Sequence, residues 1–101
     1  MGTASWVLLG TDRALGETWG SVCHGAGRTM SRTAARRARS ATRVLADLAG
    51  RGIEVRCASR KSLSEEAPES YKDVDLVVDT VIGAGLAHPV ARLVPMGVIK
   101  G

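Results

Sequence analysis

Phenylalanine is missing altogether from this chain of 101 residues, and the aromatics are limited to Trp6, Trp19 and Tyr71. A core must therefore be assembled from Ala, Val and Leu, and Ala contributes little buried area per residue. The apolar share of 45% is enough for a globular piece. A chain of this length still buries only about two thirds of the surface it exposes when unfolded, so high stability in isolation is not expected. Cysteine is equally scarce. Cys23 and Cys57 stand too far apart for a disulfide framework or a metal-ligand spacing. With His24 and His88 as the only histidines, three or four metal ligands cannot be gathered from these residues, and no metal site is expected among them. No apolar run approaches the ~18 residues that span a bilayer, and no signal peptide is expected ahead of the cysteines. No membrane partner is expected, and a reducing cytoplasm is the simplest compartment.

Basic charge, by contrast, is abundant. The net charge is +4 and the isoelectric point about 9.7. Such a balance favours anionic partners, RNA or nucleotide phosphates among them.

Hydropathy patterning divides the chain into short strands and helices. "SWVLLGT" (5–11) reads as a buried strand, and residues 12–19 as a brief helix capped by Thr11 or Asp12. Three glycines make 20–27 a loop. Residues 31–49 carry a helical pattern. Ala34, Ala38, Ala41, Leu45 and Leu48 form one stripe, with Arg32, Arg36, Arg39 and Arg43 turned away from it. "IEVRCAS" (53–59) alternates as a strand should, and the polar, proline-bearing stretch 60–70 reads as a loop. A second main helix is expected over about 73–84, closed by Gly83 and Gly85, followed by a strand-like tail (90–101). The expected class is mixed α/β (α+β), with two main helices at about 31–49 and 73–84 and the whole of 1–101 as one segment.

The stretch "CHGAGR" (23–28) holds the most suggestive chemistry. Gly25 and Gly27 free backbone N–H groups to form an anion-binding concavity next to a helix start. A phosphate placed there would lie beside His24, whose imidazole can attack phosphorus or move a proton. The plain alternative is a tight turn. Arg28, at the loop exit, offers a bidentate fork to a phosphate. The arginine stripe is equally consistent with a solvated face and with RNA contact. Neighbours on an extended segment point to opposite sides, so Cys23 is expected to be a small buried residue rather than the partner of His24. Tyr71 at the start of the second helix suits base stacking or packing alike, and His88 has no evident partner.

Taken together, "CHGAGRTMSR", "ASWVLLGT", "EEAPESYKDVD" and the terminal "ARLVPMGVIKG" resemble, in order and without gaps, the carboxy-terminal segment of the RtcB family of RNA-splicing ligases. The resemblance implies an enzyme that uses GTP and manganese to join RNA ends bearing a 2′,3′-cyclic phosphate or 3′-phosphate to 5′-hydroxyl ends, in tRNA splicing or RNA repair. It implies that His24 takes GMP from GTP as a covalent phosphoramidate and passes it to the RNA 3′-phosphate, from which the 5′-hydroxyl displaces it. Gly25, Ala26 and Gly27 would line the guanylate, Ser5 and Lys100 would contact the guanine or nucleotide, and Tyr71 would lie beside it. In that family the manganese ligands lie upstream of this segment. Met1-Gly2-Thr3 itself looks like the interior of a family motif. The chain thus reads as a fragment, from an alternative start, a split gene or a truncated gene, expected to be inactive alone and in need of a chain supplying the upstream half. A stand-alone basic RNA-binding module without catalysis and a truncated remnant are the rival readings.

Overall fold

The computed structural model describes residues 1–100, the Lys61 side chain apart, so that Gly101 at the end of the expected tail strand lies outside it. In chain order the elements are β1 (Ser5–Gly10), α1 (Asp12–Thr18), α2 (Arg32–Ala38), α3 (Ala41–Gly50), β2 (Glu54–Cys57), α4 (Arg60–Glu65), a 3-10 turn (Pro68–Ser70), α5 (Val74–Gly83), β3 (Ala87–Leu93) and β4 (Gly97–Lys100). The class is mixed α/β, with short strands in two separate two-stranded sheets. The chain divides into two compact units. Among the described residues one comprises Met1–Thr3, Arg28–Tyr71 and 94–100, and the other Ala4–Gly27 and Lys72–Leu93.

In the first unit β2 pairs with β4 in parallel, Val55 opposite Val98 and Cys57 opposite Lys100. Its core is Val44, Leu48, Ile53, Leu63 and Ala67, with Leu45, Val55 and Val98 packed against it. The expected helix over 31–49 is in fact two. Arg39 is extended (φ −142°, ψ 138°), and the Ser40 side chain accepts a hydrogen bond from the Arg43 N–H to start α3 afresh. That break resets the helical phase. Ala35 and Val44 are both buried, although nine residues of continuous helix would put them on opposite faces. The expected stripe fails at its start for the same reason, since Ala34 and Ala38 are exposed.

The stretch 60–70 is not a loop but α4 and the 3-10 turn. Leu63 and Ala67, four residues apart, are both buried. Pro68 is tolerated because it stands at the first position of its turn, where a missing N–H breaks no bond. The expected tail strand is likewise two strands in two sheets, parted by Val94–Met96; Pro95 has no N–H to donate to a ladder.

In the second unit β1 and β3 are antiparallel, from Ser5 opposite Leu93 to Gly10 opposite Ala87. The register slips between Val7 and Leu8, which face Ala91 and Pro89, so Val90 is the extra residue of a bulge. The irregularity falls beside the one strand residue unable to donate. Thr11 caps α1 through the Ala14 N–H and donates its own hydroxyl to Gly85 O at 2.7 Å. Ala14, Val78, Val81 and Ala87 are buried here, while Leu9, Leu15, Trp19, Leu76 and Val90 remain exposed. With only small side chains enclosed, this unit holds little buried area of its own, as the lack of phenylalanine foretold.

Candidate functional site

The glycine loop follows α1. Trp19 and Gly20 both take the left-handed conformation, at φ 54° and 72°. The pair turns the chain sharply out of the helix, and Gly20 N–H bonds to Ala14 O at 2.9 Å. The Thr18 hydroxyl lies 2.9 Å from Ala14 O and 2.7 Å from Ser21 O, tying down the start of the loop. At its far end Gly27, at φ 77°, adopts a backbone that other residues rarely tolerate, and its carbonyl accepts the Lys72 N–H at 2.9 Å. Between these two moorings His24 is exposed in a bend, flanked by Gly25 and a half-buried Ala26. Cys23 is exposed, not the small buried residue expected. It lines an apolar groove of about 630 Å³ along α5, with Leu76, Thr80 and Leu86.

Ser5 begins β1 in the same unit and is exposed. The strand there is held by the next residue. Trp6 Nε1 donates to Asp75 Oδ1 at 2.8 Å, and Arg92, opposite Trp6 in the sheet, reaches the same carboxylate at 2.9–3.3 Å through two nitrogens. The hydrogen bonds from Arg92 and then from Trp6 hold the Asp75 carboxyl below the ordinary carboxylate range.

Tyr71 and Lys100 belong to the other unit, where the fold brings them to one carboxylate. Tyr71 does not start the second helix. It forms a bridge with Arg28, and Asp73 is the cap of α5. Its hydroxyl donates to Glu66 Oε2 at 2.5 Å, and Lys100 Nζ stands 3.4 Å from that same oxygen. Burial alone would push Glu66 upward. The hydrogen bond from Tyr71, the charge and hydrogen bond of Lys100 and the charge of Arg28 together outweigh it and hold the carboxyl below its usual value. Burial raises the Tyr71 phenol, and the hydrogen bond and charge of Glu66 raise it further, against the opposing effect of Arg28.

Arg28 itself is committed inside the protein. Nε bonds Met30 O, Nη1 bonds the Tyr71 hydroxyl at 2.9 Å and Nη2 bonds Glu65 O at 2.7 Å, with the guanidinium 4.8 Å from the Tyr71 ring centre. Three of the four arginines of the expected face are likewise drawn toward carboxylates. Arg32 and Arg36 both approach Glu65, at 3.6 and 2.6 Å, and Arg39 pairs with Asp47 and Glu69. Glu65, Glu66 and Asp75 are thus organising residues that the reading of motifs passed over. The adjacent glutamates in "SEEAPESY", set among fourteen Lys and Arg residues, were the available signal. Among the described residues no group of three or more His, Cys, Asp or Glu side chains could hold a metal ion, and none of the helices is long and apolar enough to cross a membrane.

The family model "tRNA-splicing ligase RtcB" matches residues 1–101, and the chain belongs to that family. Over all 101 residues it is 55% identical to the tRNA-splicing ligase RtcB of Methanopyrus kandleri, covering 10% of that protein. It is 54% identical to that of Thermococcus kodakarensis and 52% identical to that of Archaeoglobus fulgidus, covering 21% of each. The chain thus spans between a tenth and about a fifth of the length of these curated relatives.

Proposed function

We propose that this chain is the guanylate-accepting part of a GTP- and manganese-dependent RNA ligase that joins 3′-phosphate or 2′,3′-cyclic phosphate ends to 5′-hydroxyl ends. The observation that carries the reading is the exposed His24 on a loop moored at both ends, in a chain that the RtcB family model spans from residue 1 to 101. A neutral imidazole nitrogen of His24 attacks the α-phosphorus of GTP. A P–N bond forms as the bond to pyrophosphate breaks, and the imidazole proton is lost to solvent or a base. The RNA 3′-phosphate oxygen then takes the guanylyl group and restores the free imidazole. Attack by the 5′-hydroxyl on the activated phosphate completes the join and releases GMP. Gly25 and Gly27 lack side chains that would keep a phosphate from the loop amides, and the half-buried Ala26 lies between them. Ser5, Tyr71 and Lys100 are assigned to the nucleotide.

The described residues do not fit a manganese site, so the metal is assigned to polypeptide that the longer relatives carry beyond this segment. The test follows from that division. The chain is incubated with GTP and manganese, alone and with the Archaeoglobus fulgidus relative lacking its matching segment, and searched for a GMP mass adduct. An adduct on His24 in the mixture, with little or none on the chain alone, is the expected result. A GMP adduct on another residue overturns the assignment. The rival reading, a non-catalytic RNA-binding module, loses ground because Arg32, Arg36 and Arg39 are engaged by carboxylates.

A further inference from the structure

We propose that Glu66 is the positioning residue of the nucleotide site, holding Tyr71 and Lys100 on a single carboxylate so that both present a fixed geometry to guanylate. The inference rests on the assignment of Tyr71 and Lys100 to the nucleotide. Those two residues come from distant parts of the chain, one after the 3-10 turn and the other on β4. Among the described residues, Glu66 is the one with polar contacts to both: Oε2 takes the Tyr71 hydroxyl at 2.5 Å and lies 3.4 Å from Lys100 Nζ, while Oε1 faces Arg28 Nη1 at 3.6 Å.

Glu66 is suited to the role by its backbone. It ends α4, its N–H bonded to Leu63 O, and its flanking anchors Leu63 and Ala67 are 0% and 3% exposed. The carboxylate therefore leaves the core at a fixed point. A lysine on a strand end would otherwise sample many rotamers, at a cost to any ligand that must order it. Arg28 completes the clamp from the other side, since its Nη1 donates to the Tyr71 oxygen whose own proton goes to Glu66. Two cations around one carboxylate leave a net positive charge, so Lys100 is oriented without being fully neutralised toward an incoming anionic nucleotide.

Because Tyr71 is the only tyrosine, its ionisation can be followed by the ultraviolet absorbance of tyrosinate. Glu66→Gln keeps the shape and removes the charge. The Tyr71 transition, held above the ordinary phenol value in the native chain, is expected to fall toward it in E66Q. An unmoved transition refutes the clamp. GMP binding is then titrated calorimetrically for the native chain, E66Q, K100A and the double variant, each checked for unchanged circular dichroism. E66Q should weaken GMP by about tenfold. Adding E66Q to K100A should cost less than adding it to the native chain, as expected if Glu66 acts partly through Lys100, with the remaining loss carried by Tyr71. Equal GMP binding by the native chain and E66Q overturns the positioning role alone. A native chain that shows the Tyr71 shift but does not bind GMP overturns the nucleotide assignment, leaving the clamp as a purely structural one.

Discussion

Gly2→Ala should destabilise the unit built on Val44, Leu48 and Leu63 by roughly 2–4 kcal/mol, for two separable reasons. Gly2 has φ +78°, and an L residue held in the left-handed region costs about 1–2 kcal/mol. An added Cβ would also lie 2.5 Å from Leu48 Cδ2 and 3.1 Å from Pro68 Cγ. Leu48 is 1% exposed and enclosed by Val44, Ile53, Leu63 and Ala67, so its methyl cannot swing toward solvent. Overpacking of this kind costs about 1–3 kcal/mol. The lower entropy of unfolded alanine offsets about 0.4–1 kcal/mol of the total. Leu48→Val separates the two terms, because it removes the δ-methyls that the new Cβ would meet. Alone it costs about 0.5–1.5 kcal/mol. In the double variant the clash with Leu48 should vanish, while the left-handed term and the tight contact with Pro68 persist, giving a coupling of up to about 1–3 kcal/mol. Urea denaturation followed by far-ultraviolet circular dichroism measures all four chains. A Gly2→Ala loss below about 0.5 kcal/mol, or strictly additive variants, would refute the reasoning.

Three further outcomes are expected. The Asp75 carboxyl is depressed in the folded chain, so the stabilisation it brings is complete above its unfolded pKa and is lost as pH falls through the lower folded value; Asp75→Asn should flatten that part of an acid denaturation series, and a Trp6 indole proton resonance indifferent to pH in this range would contradict the tie. Glu65→Gln should release Arg32 and Arg36, steepening the log–log salt dependence of single-stranded RNA binding by about 0.7 per phosphate newly met; an unchanged slope in a filter-binding assay would place both arginines away from RNA. His24→Ala should abolish the GMP adduct yet change stability by less than about 0.5 kcal/mol, because the side chain is exposed; a large loss of stability would mark the histidine as structural.

Elements with local punctuation were legible in the sequence. Thr11, one of the two candidates, caps α1, the expected helix over about 73–84 contains α5, and the alternating residues 53–59 contain β2. Misreadings arose where two local signals competed. Alanine and arginine are strong helix formers, so Ser40 passed as a helical residue although it caps a second helix. Pro68 made 60–70 look irregular, while Leu63 and Ala67, spaced one helical turn apart and both buried, carried the opposite message. The candidate loop was visible through its glycines, but the burial of Cys23 could not be judged from its neighbours. Exposure depends on what the rest of the fold brings near, and at Cys23 that is the open groove along α5.

What the sequence determined by itself was family membership, the histidine on its glycine loop and the modest core that follows from having no phenylalanine. Each is a property of residue types and their local order. The tertiary structure alone decided where the charges go. Arg28, which local chemistry offered to a phosphate, is bound to Tyr71 and the Glu65 carbonyl, and Arg36 and Arg39 of the arginine face pair with Glu65, Asp47 and Glu69. It also joined Tyr71 to Lys100 through Glu66, residues separated along the chain by a helix and two strands. Ion pairs and hydrogen bonds act over a few ångströms, and which groups come that close is set by packing rather than by sequence distance.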